Sequence, residues 1–413
     1  MTRRQLIGPC VVAILVASVG VLVATRSPTS PASPTSPGTE TPANQVGSST
    51  ATTAASSGSP RPQPRHEVYG FVPYWEMDDT IADHLAKTDL TTLALFSVTN
   101  ARDGSLDTSQ SGYKRITGEV GRRMIREAHD RGVRVELVFT SFGAARNARF
   151  FGSPEVQDAT IASLVALGKD LGLDGINVDV EQLALDLVPT YGAFVERLRT
   201  AAREAIPDAQ VSVATGAGPT GAAMATTAVT GGADRIFLMG YDYHTATSNP
   251  GASAPMARRD GSERDLVWSL DLYESLGVPV ERTILGLPLY GMIWPVAGPA
   301  LGEVQVGKGD TWVPADNLGI LAAPPVPPEM DPIEIVDFYA LPPADGATPD
   351  PSDGSPAAGW HAVYVDSPAT LTPKLALADA RGLAGAGFWA IGYERGLPGY
   401  TDLIARFRAG RLD

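Results

Sequence analysis

Eight short apolar segments recur along the chain, and amphipathic stretches separate most of them. The apolar segments have the length and composition of buried strands, and the stretches between them repeat their apolar residues at helical spacing. The predicted strands are residues 68–73, 93–98, 134–139, 175–181, 210–215, 235–240, 283–289 and 387–391. The predicted helices are residues 122–130, 154–171, 190–205, 265–276, 373–380 and 400–408. A weaker helical pattern covers residues 221–232, which are rich in Thr and Gly.

Eight strands, most of them followed by a helix, over roughly 345 residues predict an α/β chain that folds as a single (β/α)8 TIM barrel. Periodicity alone also allows an open, doubly wound sheet. The lack of a Gly-rich phosphate loop after the first strand makes that alternative less favourable. A long insertion, residues 295–367, interrupts the seventh β/α unit and contains strand-like pieces at 303–306, 333–339 and 361–365. As a βα loop, it is expected to emerge at the carboxyl ends of the strands.

The beginning of the sequence indicates export. Arg3 and Arg4 precede an uncharged apolar run over residues 6–24, and Arg26 follows it. This run is long enough for a membrane span, and the arginines favour a cytoplasmic N-terminus. Residues 1–26 are therefore predicted to be a membrane anchor or a cleaved signal peptide, with the rest outside the cytoplasm or secreted. Residues 27–65, rich in Ser, Thr and Pro, predict a disordered linker, and the folded domain is expected over residues 66–413.

The charge and composition exclude several partners. Acidic residues outnumber basic residues by 46 to 32, which gives a formal net charge of −14 and disfavours nucleic acid as a partner. The only cysteine is Cys10, so no disulfide can form within the chain. The five histidines are scattered, and no group of residues has metal-ligand spacing. We therefore expect a binding protein or an enzyme that needs no metal or other cofactor.

The fourth predicted strand carries the chemistry. Its sequence is Asp174-Gly175-Ile176-Asn177-Val178-Asp179-Val180-Glu181. Since strand side chains alternate, Asp174 and the three aliphatic residues share one face, and Asn177, Asp179 and Glu181 share the other. The aliphatic face suits packing against the outer helices, so the polar face is expected to point into the barrel. Burying two carboxylates and an amide there is costly, which indicates a functional site.

This octapeptide resembles the Asp-Gly-x-Asp-x-Asp-x-Glu signature of glycoside hydrolase family 18, the chitinase family, with Asn177 replacing the middle Asp. Three other segments resemble the family's strands six, seven and eight: residues 239–242 (Met-Gly-Tyr-Asp), 285–291 and 385–390. The resemblance is closest to a bacterial branch of spore-cortex-lytic N-acetylglucosaminidases, which share the Asn. Two departures are Phe71, where many chitinases have Tyr, and Thr140-Ser141-Phe142-Gly143 in place of Ser-x-Gly-Gly.

The resemblance implies a substrate-assisted retaining mechanism on an N-acetylated polysaccharide. Glu181 is implied as the general acid and base, Asp179 as the group that supports the substrate's acetamido N–H, and Tyr241 as a hydroxyl donor to the acetamido oxygen. Trp389 is implied as the floor beneath the sugar. Asn177, Asp242, Met239 and Tyr74 complete the predicted substrate-binding set, although Tyr74 is equally suited to a packing role.

Two other functions remain open on the same barrel. One is a chitin- or peptidoglycan-binding lectin without activity, and the other is an envelope protein that only docks to glycan. The presence of Glu181 together with Asp179 favours an enzyme. Chitin and peptidoglycan stay open as substrates. Because Asn177 cannot share a proton with Asp179, we also expect Asp179 to stay ionised at neutral pH.

The first prediction concerns the boundary of the folded domain. Removal of residues 1–65 should leave a soluble domain that retains the activity of the full chain, because the linker composition contributes nothing to a core. Solubility and specific activity of the truncated and full-length proteins are to be compared. An insoluble or inactive truncation beside an active full-length protein would contradict the boundary.

Overall fold

A computed structural model describes residues 66–343 and 359–412. Both the predicted anchor or signal segment and the predicted linker up to residue 65 lie outside these residues. Within the two ranges, the strands are β1 Glu67–Pro73, β2 Thr92–Val98, β3 Arg134–Phe142, β4 Gly175–Glu181, β5 Gln210–Gly216, β6 Arg235–Met239, β7 Thr283–Pro288, β8 Gly291–Val296, β9 Asp310–Trp312, β10 Glu329–Asp331, β11 Val336–Leu341, β12 Trp360–Val365 and β13 Gly385–Trp389.

The helices of the same ranges are α1 Ile81–Leu85, α2 Ser111–Thr117, α3 Glu119–Asp130, α4 Ala144–Phe151, α5 Pro154–Leu171, α6 Val188–Ala205, α7 Pro219–Thr230, α8 Leu266–Ser275, α9 Leu318–Ala322, α10 Pro368–Ala380 and α11 Pro398–Arg408. None of them combines the length and apolar character needed to cross a membrane.

Eight of the described strands close into a parallel barrel in the order β1, β2, β3, β4, β5, β6, β7 and β13, with β13 returning to β1. The predicted TIM barrel is thus confirmed, and closure excludes the open sheet. Along β4, Asn177 lies beside Ser212 of β5, and Asp179 lies between Thr140 of β3 and Ala214 of β5. The barrel interior is otherwise largely apolar. Its buried side chains include Tyr69, Phe71, Ala94, Phe96, Val138, Ala214, Phe237 and Ile284.

Residues between β7 and α10 form a second sheet with the strand order β10, β11, β12, β8 and β9. A buried glutamate, Glu334, joins the β10–β11 turn to the loop after β6 by accepting hydrogen bonds from the backbone N–H groups of Ala252 and Arg259. The Arg259 guanidinium also donates two hydrogen bonds to Asp331, at 2.9 and 2.6 Å. These contacts hold the second sheet beside the carboxyl end of β6.

The weak helical pattern at residues 221–232 corresponds to the regular helix α7, which contacts α6 and β5. Its threonines lower helix propensity, but their hydroxyls donate to carbonyls one turn earlier, as Thr226 does to Ala222 and Thr227 to Ala223. Close packing on Gly192 of α6 adds tertiary stabilisation, since a Cβ there would lie 2.2 Å from Thr227 Cγ2. The predicted strand at 303–306 is wrong: only Gln305 forms a bridge, with Val296.

Helix α10 is anchored by an ion pair that has no access to solvent. Lys374 on α10 is fully buried and donates to the carboxylate of Asp366, which precedes the helix and is also buried. Thr370 donates to the same carboxylate oxygen at 2.8 Å. Burial raises the pKa of Asp366 and lowers the pKa of Lys374, because each charge loses its hydration. Each charge therefore depends on the other.

We predict that Lys374→Met destabilises the domain by about 3–5 kcal/mol, the usual cost of leaving one member of a buried pair uncompensated. The double variant with Asp366→Asn should recover most of that loss, since no unpaired charge remains. Urea denaturation of the two variants and the wild type measures both free energies. Equal stability of the single and double variants would contradict this account of the pair.

Candidate active site

The three polar residues of β4 face the barrel interior at increasing height toward the carboxyl end. Asn177 is 0% exposed and Asp179 is 4% exposed, whereas Glu181 is partly exposed at the end of the strand. This gradient matches the alternation read from the sequence. It places two polar groups beneath a third that solvent and ligand can reach. In a TIM barrel this end of the strands is where the chemistry occurs.

Burial dominates the protonation of the two carboxyl groups. It raises the pKa of Asp179 well above its ordinary value, and the charge of Glu181 raises this pKa further. Burial also raises the pKa of Glu181 to about 7, with the charge of Asp242 as the second cause. The groups are two residues apart on one strand and titrate together, so their protons belong to the pair. The expectation of an ionised Asp179 neglected burial, which favours the protonated form.

Asp242 lies just beyond the end of β6 in a left-handed backbone conformation, with φ of 62°. Its backbone N–H donates to Ser253 Oγ at 3.1 Å, and Ser253 Oγ donates to the Tyr290 hydroxyl at 3.1 Å. Tyr290 in turn donates to the Asp242 carboxylate. Burial raises the pKa of Asp242, while the Tyr290 hydrogen bond lowers it. The Tyr290 hydrogen bond favours the ionised form of Asp242.

Tyr241 lies next to Asp242 and packs against the interior apolar cluster together with Met239. Burial raises the pKa of Tyr241 well above its ordinary value, and the charges of Asp179, Asp242 and Glu181 raise it further. The phenol therefore stays protonated and can donate a hydrogen bond at neutral pH. The structure thus brings Tyr241 into the electrostatic environment of all three carboxyl groups.

Aromatic side chains form one wall of the site. Trp389, at the end of β13, packs edge-on against Phe96 with ring centroids 4.7 Å apart and against Phe71 at 5.8 Å. Trp75 lies 6.3 Å from Trp389, is 39% exposed, and donates its indole N–H to the Tyr393 hydroxyl at 3.1 Å. Tyr74 instead packs against the large core and the edge of Trp75. Of this pair, Trp75 is the exposed aromatic surface beside Trp389.

The backbone of Glu181 is fixed by a residue that sequence reasoning missed. Asn147, on α4 and fully buried, donates its amide N–H to the Glu181 carbonyl at 2.6 Å. Its own oxygen accepts from Ser141 Oγ at 2.7 Å, so β3 orients the amide. The backbone N–H of Gly143 donates to the same carbonyl at 3.3 Å. Helix α4 was not predicted, and nothing in the local sequence distinguishes Asn147 from a surface residue.

Asp174 lies at the opposite end of β4, as its position in the strand predicts. Its carboxylate accepts hydrogen bonds from the Val135 backbone N–H at 2.7 Å and from His129 at 2.9 Å. It has a structural role in aligning β3 and β4. Across both described ranges, no cluster of three or more potential ligands has the arrangement of a metal site.

Comparisons with known proteins identify a family model and a curated relative that match this chain. The model of glycosyl hydrolases family 18 matches residues 67–394. Nod factor hydrolase protein 1 of Medicago truncatula is 29% identical over 167 residues, which span 39% of this chain and 39% of that protein. The chain therefore matches well under half the length of this curated relative.

Solved structures show the same fold at low identity. The Group IV chitinase of Ostrinia furnacalis in complex with allosamidin has a TM-score of 0.70 at 17% identity, covering 84% of this chain and 99% of that chain. The spore cortex-lytic enzyme SleL of Bacillus cereus has a TM-score of 0.63 at 17% identity, covering 84% and 76%. A family 18 N-acetylglucosaminidase from Paenibacillus barengoltzii has a TM-score of 0.65 at 16% identity, covering 83% and 100%.

The family match spans most of the chain and includes all eight barrel strands. The chain belongs to glycosyl hydrolases family 18, a family of glycosidases, as the octapeptide and the three other segments predicted. The signature glutamate of that resemblance is Glu181, at the partly exposed end of β4.

We predict that Asp242→Asn lowers the pKa of Glu181 below about 7, because removal of a neighbouring negative charge makes ionisation of Glu181 easier. The Asn side chain can still accept the Tyr290 hydrogen bond. The pKa is measured by ¹³C NMR of carboxyl-labelled Glu, with the Glu181 signal identified by its absence in Glu181→Gln. Asp402→Asn, on the exposed face of α11, is the matched control and should leave the titration unchanged. A Glu181 pKa that stays constant or rises in Asp242→Asn would contradict the electrostatic assignment.

Proposed function

We propose that this protein is an extracytoplasmic glycoside hydrolase that cleaves β-linked polysaccharides containing N-acetylglucosamine. The observation that carries the proposal is the state of Glu181. This carboxyl group is partly exposed at the carboxyl end of β4, and burial with the charge of Asp242 raises its pKa to about 7. A general acid needs a proton near neutral pH, and an elevated pKa supplies it.

The proposed reaction proceeds in two steps. Glu181 donates its proton to the glycosidic oxygen as the bond from that oxygen to the anomeric carbon breaks. The oxygen of the sugar's own 2-acetamido group attacks the anomeric carbon from the other side and forms a cyclic oxazolinium ion. Glu181, now ionised, takes a proton from water, and the resulting hydroxide attacks the anomeric carbon and reopens the ring. Two inversions give net retention.

Two neighbours are assigned to the acetamido group. Asp179 lies beside Glu181 on the same strand rather than on a facing strand. Once the proton of this pair has moved to the glycosidic oxygen, an ionised Asp179 can accept the acetamido N–H and balance the positive ring. Tyr241 remains a phenol at neutral pH and is the proposed donor to the acetamido oxygen. Trp389 supplies an apolar face under the sugar, supported by Phe71 and Phe96.

Asp242 supports one rival mechanism. A conventional retaining glycosidase uses a carboxylate nucleophile about 5–5.5 Å from the acid, and the charge of Asp242 acts on Glu181. Its carboxylate, however, accepts a hydrogen bond from Tyr290 within a ring of three hydrogen bonds, which favours a fixed electrostatic role. The two mechanisms differ in whether the substrate needs an acetamido group.

The proposed substrate class and cellular location are supported by the similar proteins and by the N-terminal sequence. The names of the similar proteins include chitinases, a spore cortex-lytic enzyme and a Nod factor hydrolase, which supports an N-acetylglucosamine polymer such as chitin or peptidoglycan as substrate. Export, either with a membrane anchor or by secretion, is proposed from the apolar run at residues 6–24 and the linker that follows.

We predict that the wild type hydrolyses chitooligosaccharides or peptidoglycan with retention, whereas a β-glucan without acetamido groups is not cleaved. Glu181→Gln should lower kcat by about 10²–10⁴-fold, the usual contribution of a general acid, while oligosaccharide binding stays close to that of the wild type. Mass spectrometry of products, NMR of the anomeric configuration and titration calorimetry measure these outcomes.

Glu196→Gln, the same chemical change on the exposed surface of α6, is the matched control and should retain full activity. Efficient cleavage of the unsubstituted glucan would favour Asp242 as nucleophile over substrate assistance. Binding of the oligosaccharides without hydrolysis by the wild type would identify the protein as a lectin and refute the enzymatic proposal.

A further inference from the structure

A carboxyl group lies inside the barrel that the mechanism above does not use. Glu136 of β3 is 0% exposed and projects into the barrel beneath Asp179, where apolar side chains normally fill the space. The family resemblance assigns it no role. A buried carboxyl group costs several kcal/mol unless it is paired or hydrogen-bonded, and apolar packing is often as stable. Its hydrogen bonds therefore indicate what it contributes.

A chain of hydrogen bonds connects Glu136 to the strand that carries the catalytic pair. Asn177 donates from Nδ2 to Ser212 Oγ at 2.7 Å, and Ser212 donates its hydroxyl to Glu136 Oε2. Tyr69 of β1 donates to the same carboxylate oxygen at 2.6 Å. Because Ser212 has a single proton, donation to Glu136 leaves its oxygen free to accept from the Asn177 amide. Glu136 thus selects which end of that amide points toward Ser212.

The other end of the amide is left without a partner. Asn177 Oδ1 is buried and accepts no hydrogen bond from any described residue, and the same holds for Asp179 Oδ1 two residues along the strand. Side chains at these positions share one face of β4, with about 6.6 Å between their backbone positions. Both atoms are acceptors when Asp179 is ionised. A proton on Asp179 would turn one of them into a donor for the other.

The remaining charged and titratable groups come from several elements. Glu181 lies above Asp179 on β4, Tyr241 faces it from the end of β6, and Tyr191 acts on it from α6. The groups that act on Glu136, besides Tyr69, are Arg134, Asp234 and Arg235. Tyr69 hydrogen-bonds to Glu136 and also to the Asn177 side chain, so it forms a second path between these two residues.

We propose that Glu136 is a positioning residue for the catalytic pair: through Ser212 it holds the Asn177 amide with its oxygen available to Asp179, which keeps a proton on Asp179 in the free enzyme. The family signature has an Asp where this chain has Asn177. Glu136 on β3 supplies a carboxyl group in its place and acts through the hydrogen bonds from Ser212 to Glu136 and from Asn177 to Ser212. The proposed contribution of the relay adds to the effect of burial on Asp179, and its importance for turnover rests on the proposed function.

The test is the pKa of Asp179, measured by ¹³C NMR of carboxyl-labelled Asp, with the signal identified by its loss in Asp179→Asn. In Ser212→Ala, the amide loses its Ser212 partner and keeps only its contact with Tyr69, so it can turn an N–H toward Asp179, which stabilises the ionised form. We expect the Asp179 pKa to fall by about one unit, the size of one hydrogen bond. Glu136→Gln can donate to Ser212 and reverse the chain, so it should lower the pKa in the same direction.

Thr215→Val is the matched control, since Thr215 is a buried hydroxyl residue of the same strand that bonds to Tyr273 on α8. It should leave the Asp179 pKa unchanged. If the Asp179 pKa shifts in Glu136→Gln but not in Ser212→Ala, Glu136 acts directly through its charge and the relay is overturned. If the pKa shifts equally in Thr215→Val, general loosening of β5 explains the result and the relay is likewise overturned. If Glu136→Gln does not fold, as judged by thermal unfolding, Ser212→Ala carries the test.

A second readout ties the relay to turnover. With chitooligosaccharide as substrate, the acidic limb of kcat/KM against pH should move to lower pH in Ser212→Ala and remain in place in Thr215→Val, whereas a fold-stability effect would move neither limb. If Ser212→Ala shifts the Asp179 pKa in the NMR titration but leaves the acidic limb of kcat/KM in place, the relay exists but has no importance for turnover. If the wild type hydrolyses no N-acetylated substrate, the proposed function fails while the NMR result still decides the relay.

Discussion

Closure of the barrel forces the polar face of β4 into the interior, and the organisation of the site follows from the cost of that burial. In an open sheet the same face could lie against solvent, but the described barrel has no free edge around β4. Asn177 and Asp179 lose nearly all contact with water. Each polar atom must then find a partner inside the protein or keep its proton. The raised pKa values of Asp179 and Glu181 are the direct electrostatic result.

The neighbouring strands compensate for this burial in layers. At the lowest level, Tyr69, Glu136 and Ser212 form a hydrogen-bonded group with Asn177. At the upper level, Asn147 and Gly143 hold the backbone carbonyl of Glu181, so the carboxyl group at the strand end projects from a fixed point. Between these levels, apolar residues of β1, β5 and β6 exclude water. The result is a reactive group on rigid elements, which favours precise orientation of a substrate.

Sequence reasoning found the parts of the site that lie on regular strands. Alternation along residues 174–181 assigned Asp179 and Glu181 to one face and Asp174 to the other, and the structure confirms both. It failed where partners come from distant segments. Asn147 reaches Glu181 only because α4 folds back against β4, and Tyr290 reaches Asp242 across 48 positions. The expected ionisation of Asp179 counted neighbouring charges and left out desolvation, which acts in the opposite direction.

The sequence by itself determined the eight barrel strands, most of the longer helices around them and the family, because these depend on short-range periodicity and on contiguous residues. It also determined which face of β4 carries the carboxyl groups, since strand alternation is local. Only the tertiary structure decided that the sheet closes and that Glu136 and Ser212 lie beneath the catalytic pair. Burial and hydrogen bonds between distant strands set these properties, and their energies depend on which side chains the closed barrel brings together.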